Sequence, residues 1–261
     1  MIIELDGLPV FVHTGGVAHQ PDRPIVVFIH GAGMDHTVFR FQARALAHHG
    51  FSVVVPDLPG HGRSAGPGRL SIAEYALWTE QLLQQLGCDR VVLVGHSLGA
   101  FIALEVAANR PELVSGLVLL GPAIEMTVHP ALQQAADANE HLAFELITGW
   151  SFGVEGHLGG HPQPGTRIVD GTLRLLERSK PGVLAGDLRA CADYRPPIVQ
   201  MPTLLIVGDR DRMTPPASAA KLASTLPSVR TVQLDGGHML MSERPTEVRR
   251  LIEAFLASTI S

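Results

Sequence analysis

Residues 90–109 read RVVLVGHSLGAFIALEVAAN, and this stretch decides the fold. The run Val91–Val94 is apolar and rich in β-branched residues, which predicts a buried strand, whereas 100–109 predicts a helix. Ser97 lies between two glycines at this strand-to-helix junction. A turn this tight excludes bulky side chains two positions before and two after the serine, and it pushes the Oγ clear of the backbone. The context therefore predicts a nucleophilic serine, which the Gly-x-Ser-x-Gly string alone would not.

Composition limits the classes of protein to which the chain can belong. With 261 residues, 46% of them hydrophobic, it fits one large α/β domain or two small ones. The net charge of −5 and the lack of a basic block argue against a nucleic-acid partner. The chain starts without a basic leader, and no segment approaches the roughly 18 apolar residues that a membrane span needs. We therefore expect a soluble cytoplasmic protein with no membrane partner.

Seven further apolar runs predict strands, and most of them alternate with helical patterns. Strands that are apolar on both faces indicate a mostly parallel sheet of eight strands with helices on each side. The first two runs flank Asp6-Gly7, a favoured hairpin turn. The seven runs are Ile2–Leu5, Leu8–His13, Ile25–Ile29, Ser52–Val55, Val114–Leu120, Thr203–Val207 and Val229–Leu234.

The alternation stops between about Ile124 and Val199, which is too long a stretch for a plain loop. We interpret it as a helical cap inserted after the sixth strand, over the carboxyl ends of the strands where open α/β sheets bind ligands. The predicted division is a first core part at 1–122, the cap at 123–199 and a second core part at 200–261. Within the cap the expected helices are His129–Gly149, Ile168–Lys180 and Gly182–Ala192, and Gly153–Gly165 is expected to be a mobile loop that gates entry.

Five segments that carry chemistry each follow a predicted strand. They are His30–Gly33, Asp57–Ser64, Gly95–Gly99, Gly208–Pro215 and Gly236–Met239. In this order the chain resembles the α/β-hydrolase superfamily, in particular its carboxylesterase-like serine hydrolases with a helical cap. The resemblance covers nearly the whole chain apart from the detail of the cap. It implies the α/β-hydrolase fold, with the serine on a nucleophile elbow.

A serine hydroxyl needs a base to take its proton, and histidine is mostly neutral at pH 7 and suits that role. Of the 13 histidines, His238 fits best, because it follows the last strand and completes the order Ser…Asp…His of similar proteins. We expect His96 to pack against or hydrogen-bond neighbouring loops. The resemblance implies a structural hydrogen-bonding role for His30, and His61 belongs to a turn.

The third member of the triad must hold the imidazole in the correct tautomer. In similar sequences it is the second aspartate of a Gly-Asp-x-Asp-x-x-x-Pro string, which is Asp211 here. Asp209 is the alternative, although its place in the turn favours backbone hydrogen bonds, and Asp235 is expected to be a turn residue. For the oxyanion hole we expect the backbone N–H of Leu98 and, from the resemblance, that of Ala32, with Gly33 as the less favoured choice.

Several side chains are candidates for the substrate pocket, or for packing between cap and core alone. They are Met126, Phe144, Trp150, Phe152 and Met239. The histidine pairs 48–49 and 157–161 offer no fixed ligand face, and Cys88 and Cys191 have no metal-like spacing, so we predict no metal, no cofactor and no disulfide.

The predicted function is hydrolysis of small to medium carboxylic esters through an acyl-enzyme. Carbon–carbon bond hydrolases, lactonases and hydroxynitrile lyases on the same triad remain alternatives, and a non-catalytic ligand-binding member of the fold is a further one. A small-molecule ester is the expected partner. The sequence does not choose between a monomer and a homodimer.

Overall fold

A computed structural model describes residues 1–159 and 166–259. Its eight strands are β1 Ile2–Leu5, β2 Leu8–His13, β3 Ile25–Ile29, β4 Ser52–Pro56, β5 Val91–His96, β6 Val114–Leu120, β7 Thr203–Gly208 and β8 Val229–Leu234. They form one sheet in the order β1-β2-β4-β3-β5-β6-β7-β8. The β1–β2 and β2–β4 pairs are antiparallel and the others are parallel, which confirms the predicted fold.

The hairpin between β1 and β2 forms where the Asp6-Gly7 dipeptide predicts it. Both residues have positive φ, 53° at Asp6 and 74° at Gly7, as a tight turn of the I′ kind requires. The turn sets the register so that Leu5 pairs with Leu8. Local sequence therefore determines this edge of the sheet.

Among the described residues, six α-helices and the short 3-10 helix His36–Phe39 lie outside the insertion, and the α-helices cover the sheet. They are α1 Arg40–His48, α2 Ile72–Gln85, α3 Leu98–Asn109, α9 Pro216–Ala223, α10 Leu240–Glu243 and α11 Pro245–Thr259. Alternate residues of β3 serve opposite faces: Val27 packs in one core cluster with Phe101 of α3, and Phe28 in the other with Leu46 of α1. Because both faces are covered, the central strands are apolar throughout. Cys88 and Cys191 are buried free thiols.

In the described part of the stretch between β6 and β7 there are five helices: α4 Pro130–Asp137, α5 His141–Ser151, α6 Val154–His157, α7 Ile168–Leu176 and α8 Val183–Asp193. The prediction of a single helix over His129–Gly149 is wrong, because helical geometry is interrupted at Asn139, whose φ is 53°. Asparagine tolerates this left-handed conformation, and its Oδ1 accepts a hydrogen bond of 2.7 Å from Gly182 N. The helix predicted to reach Lys180 ends earlier, at Leu176.

The segment predicted to be a mobile loop, Gly153–Gly165, contains the short helix α6. Its residues 160–165 lie outside the described part of the chain. Across 1–159 and 166–259, none of the helices has the length and apolar character needed to cross a membrane.

Parallel pairing brings the carboxyl ends of the central strands together. Ile29 pairs with Gly95, and His96 pairs with Leu120. The loops after β3, β5 and β6 therefore begin side by side at one edge of the sheet. The loops after β7 and β8 join them there, since Gly208 pairs with Leu234.

Candidate active site

Ser97 occupies a strained turn between β5 and α3. Its φ of 54° and ψ of −115° are costly for a residue with a side chain. A Cβ at Gly95 would overlap the carbonyl of Gly99, and a Cβ at Gly99 would overlap the carbonyl of Ile29. The two glycines are thus required by close backbone contact, as the sequence predicts. Ser97 is half-buried, and within the described residues its Oγ has no hydrogen-bond partner.

His238 lies in the loop after β8, and its ring is 3% exposed. Its Nδ1 is 2.7 Å from Oδ2 of Asp211, so this nitrogen donates to the carboxylate and Nε2 is left as the basic nitrogen. His238 and Ser97 line the same cavity. The structure therefore brings the three residues predicted as a triad to one place.

The carboxylate of Asp211 is held by a dense set of donors. Its Oδ1 accepts from Met213 N at 2.9 Å and Thr214 N at 2.8 Å, while Oδ2 faces His238. Burial acts to raise the pKa of Asp211, but the charge of His238 and these hydrogen bonds outweigh it and lower that pKa. The group is therefore ionised at neutral pH and can orient the imidazole.

Thr214 is a site residue that sequence reasoning missed. Its Oγ1 lies 2.8 Å from Asp211 Oδ2 and 3.0 Å from the carbonyl oxygen of Gly121, and 3.1 Å from His238 Nδ1. The hydroxyl thus ties the loop after β6 to the aspartate and the histidine. Its sequence signal was its place in the Gly208–Pro215 string, in which the sequence pattern gives roles only to the two aspartates.

The other two aspartates near the site have separate partners. Asp209 Oδ1 accepts a 3.0 Å hydrogen bond from Gly236 N, so it fastens the turn after β8. Asp235 is more than a turn residue, because it forms ion pairs with Arg210 and Arg244. Neither carboxylate forms a hydrogen bond with His238 among the described residues.

Two backbone amides near Ser97 are free to bind an anion. Leu98 N begins α3, and Ala32 N lies in the loop after β3; within the described chain neither donates to a protein oxygen. Ala32 lines the same cavity as Ser97. Unpaired amides at a helix start and in an adjoining loop suit a developing negative charge. Ala32 and Leu98 are the residues expected to form an oxyanion hole, and that role stays a prediction.

Two neighbouring histidines are structural. His96 is fully buried and donates from Nε2 to the carbonyl of His238 at 3.1 Å, with ring centroids 4.6 Å apart. Burial holds the pKa of His96 well below its ordinary value. His30 accepts from Leu58 N at 3.1 Å and donates to the carbonyl of Gly31, and burial lowers its pKa to about 4. Both rings are therefore neutral supports.

The loop that carries His238 is fastened to the end of α5. The carbonyl of Ser151 accepts from His238 N at 2.7 Å and from Met239 N at 3.2 Å. The buried carboxylate of Glu243 accepts from Gly153 N and Gly237 N at 2.9 and 2.8 Å. Burial raises the pKa of Glu243, and these amides offset only part of that effect. The inserted helices thus help to place the imidazole.

The shared cavity has a volume of about 510 Å³. Met126 and Trp150 line it, as expected, together with Ile147 and Leu188. Phe144, Phe152 and Met239 do not line it, which corrects the expectation for these three. Its walls are Ala32, Met34, Ser97, Met126, Thr127, Val128, His129, Pro130, Leu132, Ile147, Trp150, Ser151, Leu188, Cys191, Arg212, Met213, Thr214 and His238.

The three aromatic or methionine side chains outside the cavity are held elsewhere. Phe144 packs edge-on against His141 and lines a separate small cavity near the α4–α5 turn. Phe152 is 3% exposed and meets the ring of His157, and Met239 is fully buried in the core. Each side chain is therefore used for packing.

Within 1–159 and 166–259, one group of potential metal ligands lies apart from the triad, formed by Asp35, His36 and Asp57. Asp57 already accepts from His36 N, His36 Nδ1 and Arg63 N, and Asp35 accepts from Thr37 N. These hydrogen bonds hold the loops after β3 and β4, and they account for the cluster. We assign it no metal.

The chain is similar in sequence to known hydrolases. The chain is 31% identical over 251 residues to the pimeloyl-[acyl-carrier protein] methyl ester esterase of Aromatoleum aromaticum, covering 89% of this chain and 98% of the relative. It is 29% identical over 253 residues to the 2-(acetamidomethylene)succinate hydrolase of Mesorhizobium japonicum, covering 90% and 88%. The names of these relatives give different substrates, so they support hydrolase activity without fixing the substrate of this chain.

The enol-lactonase of Burkholderia xenovorans LB400 has a similar structure, with a TM-score of 0.88 at 20% identity, covering 98% of this chain and 100% of that one. At this identity the likeness shows the fold alone. The sequence profile of the alpha/beta hydrolase family matches residues 26–251. The chain therefore belongs to the alpha/beta hydrolase family.

Proposed function

We propose that this protein hydrolyses carboxylic esters through an acyl-enzyme formed on Ser97. One observation carries the proposal: a serine on a strained turn, with a free hydroxyl, shares a cavity with a histidine bound to a buried, ionised aspartate. This is the chemical requirement for nucleophilic catalysis by a serine. The residues come from the loops after β5, β7 and β8.

In the first step Ser97 Oγ attacks the ester carbonyl carbon, and His238 Nε2 takes the hydroxyl proton. The imidazolium that forms is stabilised by the Asp211 carboxylate 2.7 Å from Nδ1. The negative charge develops on the carbonyl oxygen, where the amides of Leu98 and Ala32 bind it. Each such donor is worth about 2.7–4 kcal/mol in the transition state.

In the second step His238 gives its proton to the leaving alcohol, and the acyl group stays on Ser97. Water then enters, His238 takes one of its protons, and the hydroxide oxygen attacks the acyl carbon. Collapse of this intermediate releases the acid and returns the proton to Ser97. The base and the acid are the same imidazole, which Asp211 and Thr214 hold in one orientation.

The cavity suggests the class of substrate. A volume of about 510 Å³ with mostly apolar walls suits a small to medium acyl or alcohol group. We propose that residues 123–199 act as a cap, because α4, α5 and α8 contribute Leu132, Ile147 and Leu188 to the walls. We still predict a cytoplasmic location and no nucleic-acid partner. The choice between a monomer and a homodimer stays open.

A serine-directed test separates an enzyme from a ligand-binding member of the fold. We expect the unaltered protein to hydrolyse p-nitrophenyl butyrate and to be labelled by a fluorophosphonate, whereas Ser97→Ala should do neither while remaining folded. Ser258→Ala is the matched control, because Ser258 is exposed on α11. Hydrolysis by Ser97→Ala at the rate of the control would contradict the proposal.

The alternative chemistries use the same residues, so substrates must separate them. A panel of p-nitrophenyl esters of increasing chain length, a lactone, a vinylogous diketone and a cyanohydrin would be compared by kcat/KM. Preference for the esters supports the proposal. A kcat/KM for another class that exceeds the best ester by about 100-fold would reassign the activity.

A further inference from the structure

Asp187 is a buried carboxylate that the mechanism above does not use. It lies on the inserted helix α8, and its side chain is 1% exposed. Three donors from three separate parts of the core reach it: Gly33 N at 2.9 Å, His61 Nε2 at 2.8 Å and Tyr75 Oη at 2.7 Å. Gly33 follows β3, His61 follows β4 and Tyr75 lies on α2. We call these four residues the Asp187 junction.

The hydrogen bonds of His61 determine its charge. Nδ1 lies 3.0 Å from the carbonyl oxygen of Pro59, and Nε2 lies 2.8 Å from the carboxylate of Asp187. Both partners can only accept, so both ring nitrogens must donate and the ring is an imidazolium. Burial acts to lower the pKa of His61, but the charge of Asp187 and these hydrogen bonds outweigh it and raise that pKa. Asp187 and His61 thus form a buried ion pair.

The junction is next to the proposed oxyanion hole. Gly33 directly follows Ala32, whose amide is one of the two proposed donors. Gly33 has a φ of 66°, and a Cβ there would lie 3.1 Å from Leu184 Cδ1 on α8. The helix therefore packs directly on the loop and also binds its backbone. Because the loop is glycine-rich and has no regular structure, its position depends on such contacts.

We propose that Asp187 is a positioning residue that fixes the Ala32 amide by binding Gly33 N, with protonated His61 as its charge partner. The inserted helix α8 thereby helps to build the oxyanion hole, in addition to covering the pocket. This inference rests on the proposed function for the role of Ala32. The binding of the loop itself does not depend on that role.

The charge of His61 makes the junction sensitive to pH. A raised histidine pKa contributes stability that is complete below the ordinary value of about 6.5 and is lost as pH rises through the raised pKa. Above this raised pKa the ring has one proton for two acceptors, the Pro59 carbonyl and the Asp187 carboxylate, and the attachment of the loop after β3 weakens. The groups facing His61 are Asp187 on α8, Asp57 after β4, His30 after β3 and Tyr75 on α2. The titratable or charged residues that line the small cavity beside it are Asp35, His36, Arg63 and Arg178.

The main variant is Asp187→Asn, which keeps the shape and removes the charge. For p-nitrophenyl butyrate we expect kcat to fall by about tenfold or more, with KM changed by less than about threefold, because a displaced oxyanion donor acts on the transition state. Asp193→Asn is the matched control, since Asp193 is an exposed residue of the same helix. A folded Asp187→Asn protein with the kcat and KM of the control would overturn the proposal.

His61→Gln provides a second variant should Asp187→Asn fail to fold. Glutamine keeps a donor toward Asp187 but cannot titrate. We expect kcat of the unaltered protein to fall at alkaline pH and this fall to be absent in His61→Gln. An identical alkaline limb in both proteins would contradict the role of His61.

Nuclear magnetic resonance separates this inference from the proposed function. We expect the two ring nitrogens of His61 to be protonated at pH 7, and hydrogen exchange of the Gly33 amide to be faster in Asp187→Asn than in Asp193→Asn. These readouts need no substrate. A protein inert to esters and to fluorophosphonate would refute the esterase, while unchanged Gly33 exchange would refute the junction.

Discussion

Replacing Ser97 with glycine is expected to stabilise the protein relative to Ser97→Ala, although both variants lack the hydroxyl. The comparison isolates the backbone at the turn, because alanine keeps a Cβ at a φ of 54° and ψ of −115°, whereas glycine adopts these angles without steric cost. The prediction concerns strain only, so it holds whatever reaction the protein catalyses.

The size of the effect follows from two opposing costs. A side chain held in this region costs about 1–3 kcal/mol. Glycine loses more conformational freedom on folding, which costs about 0.5–1 kcal/mol. The net expectation is that Ser97→Gly unfolds with a free energy about 1 kcal/mol higher than Ser97→Ala. For a chain of this size that corresponds to a Tm about 2–4 °C higher.

Urea unfolding followed by circular dichroism, with Tm as a second measure, would test this difference. Ala220→Gly is the control, because Ala220 is exposed in the regular helix α9, where glycine is expected to lower stability by about 1 kcal/mol. Glycine in place of alanine should therefore raise the free energy of unfolding at position 97 and lower it at position 220. A Ser97→Gly protein no more stable than Ser97→Ala would show that the turn stores no strain.

Three further changes test the site. Asp211→Asn should lower kcat by about 10³–10⁴-fold. The lowered pKa of Asp211 stabilises the fold at pH values above the ordinary pKa of about 3.9, and this stabilisation is lost as the pH falls through the pKa in the folded protein. The free energy of unfolding of Asp211→Asn should therefore decrease less at acid pH than that of the unaltered protein. Thr214→Val should lower the free energy of urea unfolding by about 1–2 kcal/mol and reduce kcat by about tenfold, since it removes the one hydroxyl proton that the Gly121 carbonyl and the Asp211 carboxylate share. Trp150→Ala should raise kcat/KM for p-nitrophenyl decanoate relative to butyrate, while Phe144→Ala, outside the cavity, should leave that ratio unchanged.

The sheet could be predicted from sequence because its signals are local. Apolar runs such as Ile25–Ile29 must lie in the core, and the Asp6-Gly7 turn fixes the register of the first hairpin. The break at Asn139 could not be predicted, because helical periodicity continues on both sides and the turn depends on Gly182, far along the chain. The short helix α10 was missed for a related reason, since four residues carry too little periodicity.

The candidate triad could also be predicted from the sequence, because its residues follow strands whose ends meet. The polar contacts that hold the site could not be predicted. Thr214, Glu243 and Asp187 each join segments that are distant in sequence, and a lone polar residue in a string gives no sign of its partner. The direction of side chains on α5 was equally hidden, so Trp150 and Phe144 could not be told apart.

Two of the contacts that attach the inserted helices to the core hold groups of the site, one where Ser151 accepts from the backbone of His238 and one where Asp187 accepts from that of Gly33. A swing of the whole insertion would break both attachments and displace the reacting groups. Small molecules are therefore expected to enter and leave while the insertion stays in place, past the exposed cavity-lining residues Pro130 and Arg212. Substrate and products would then pass the same residues, and bulky side chains placed there would slow substrate entry and product release without changing the chemical step.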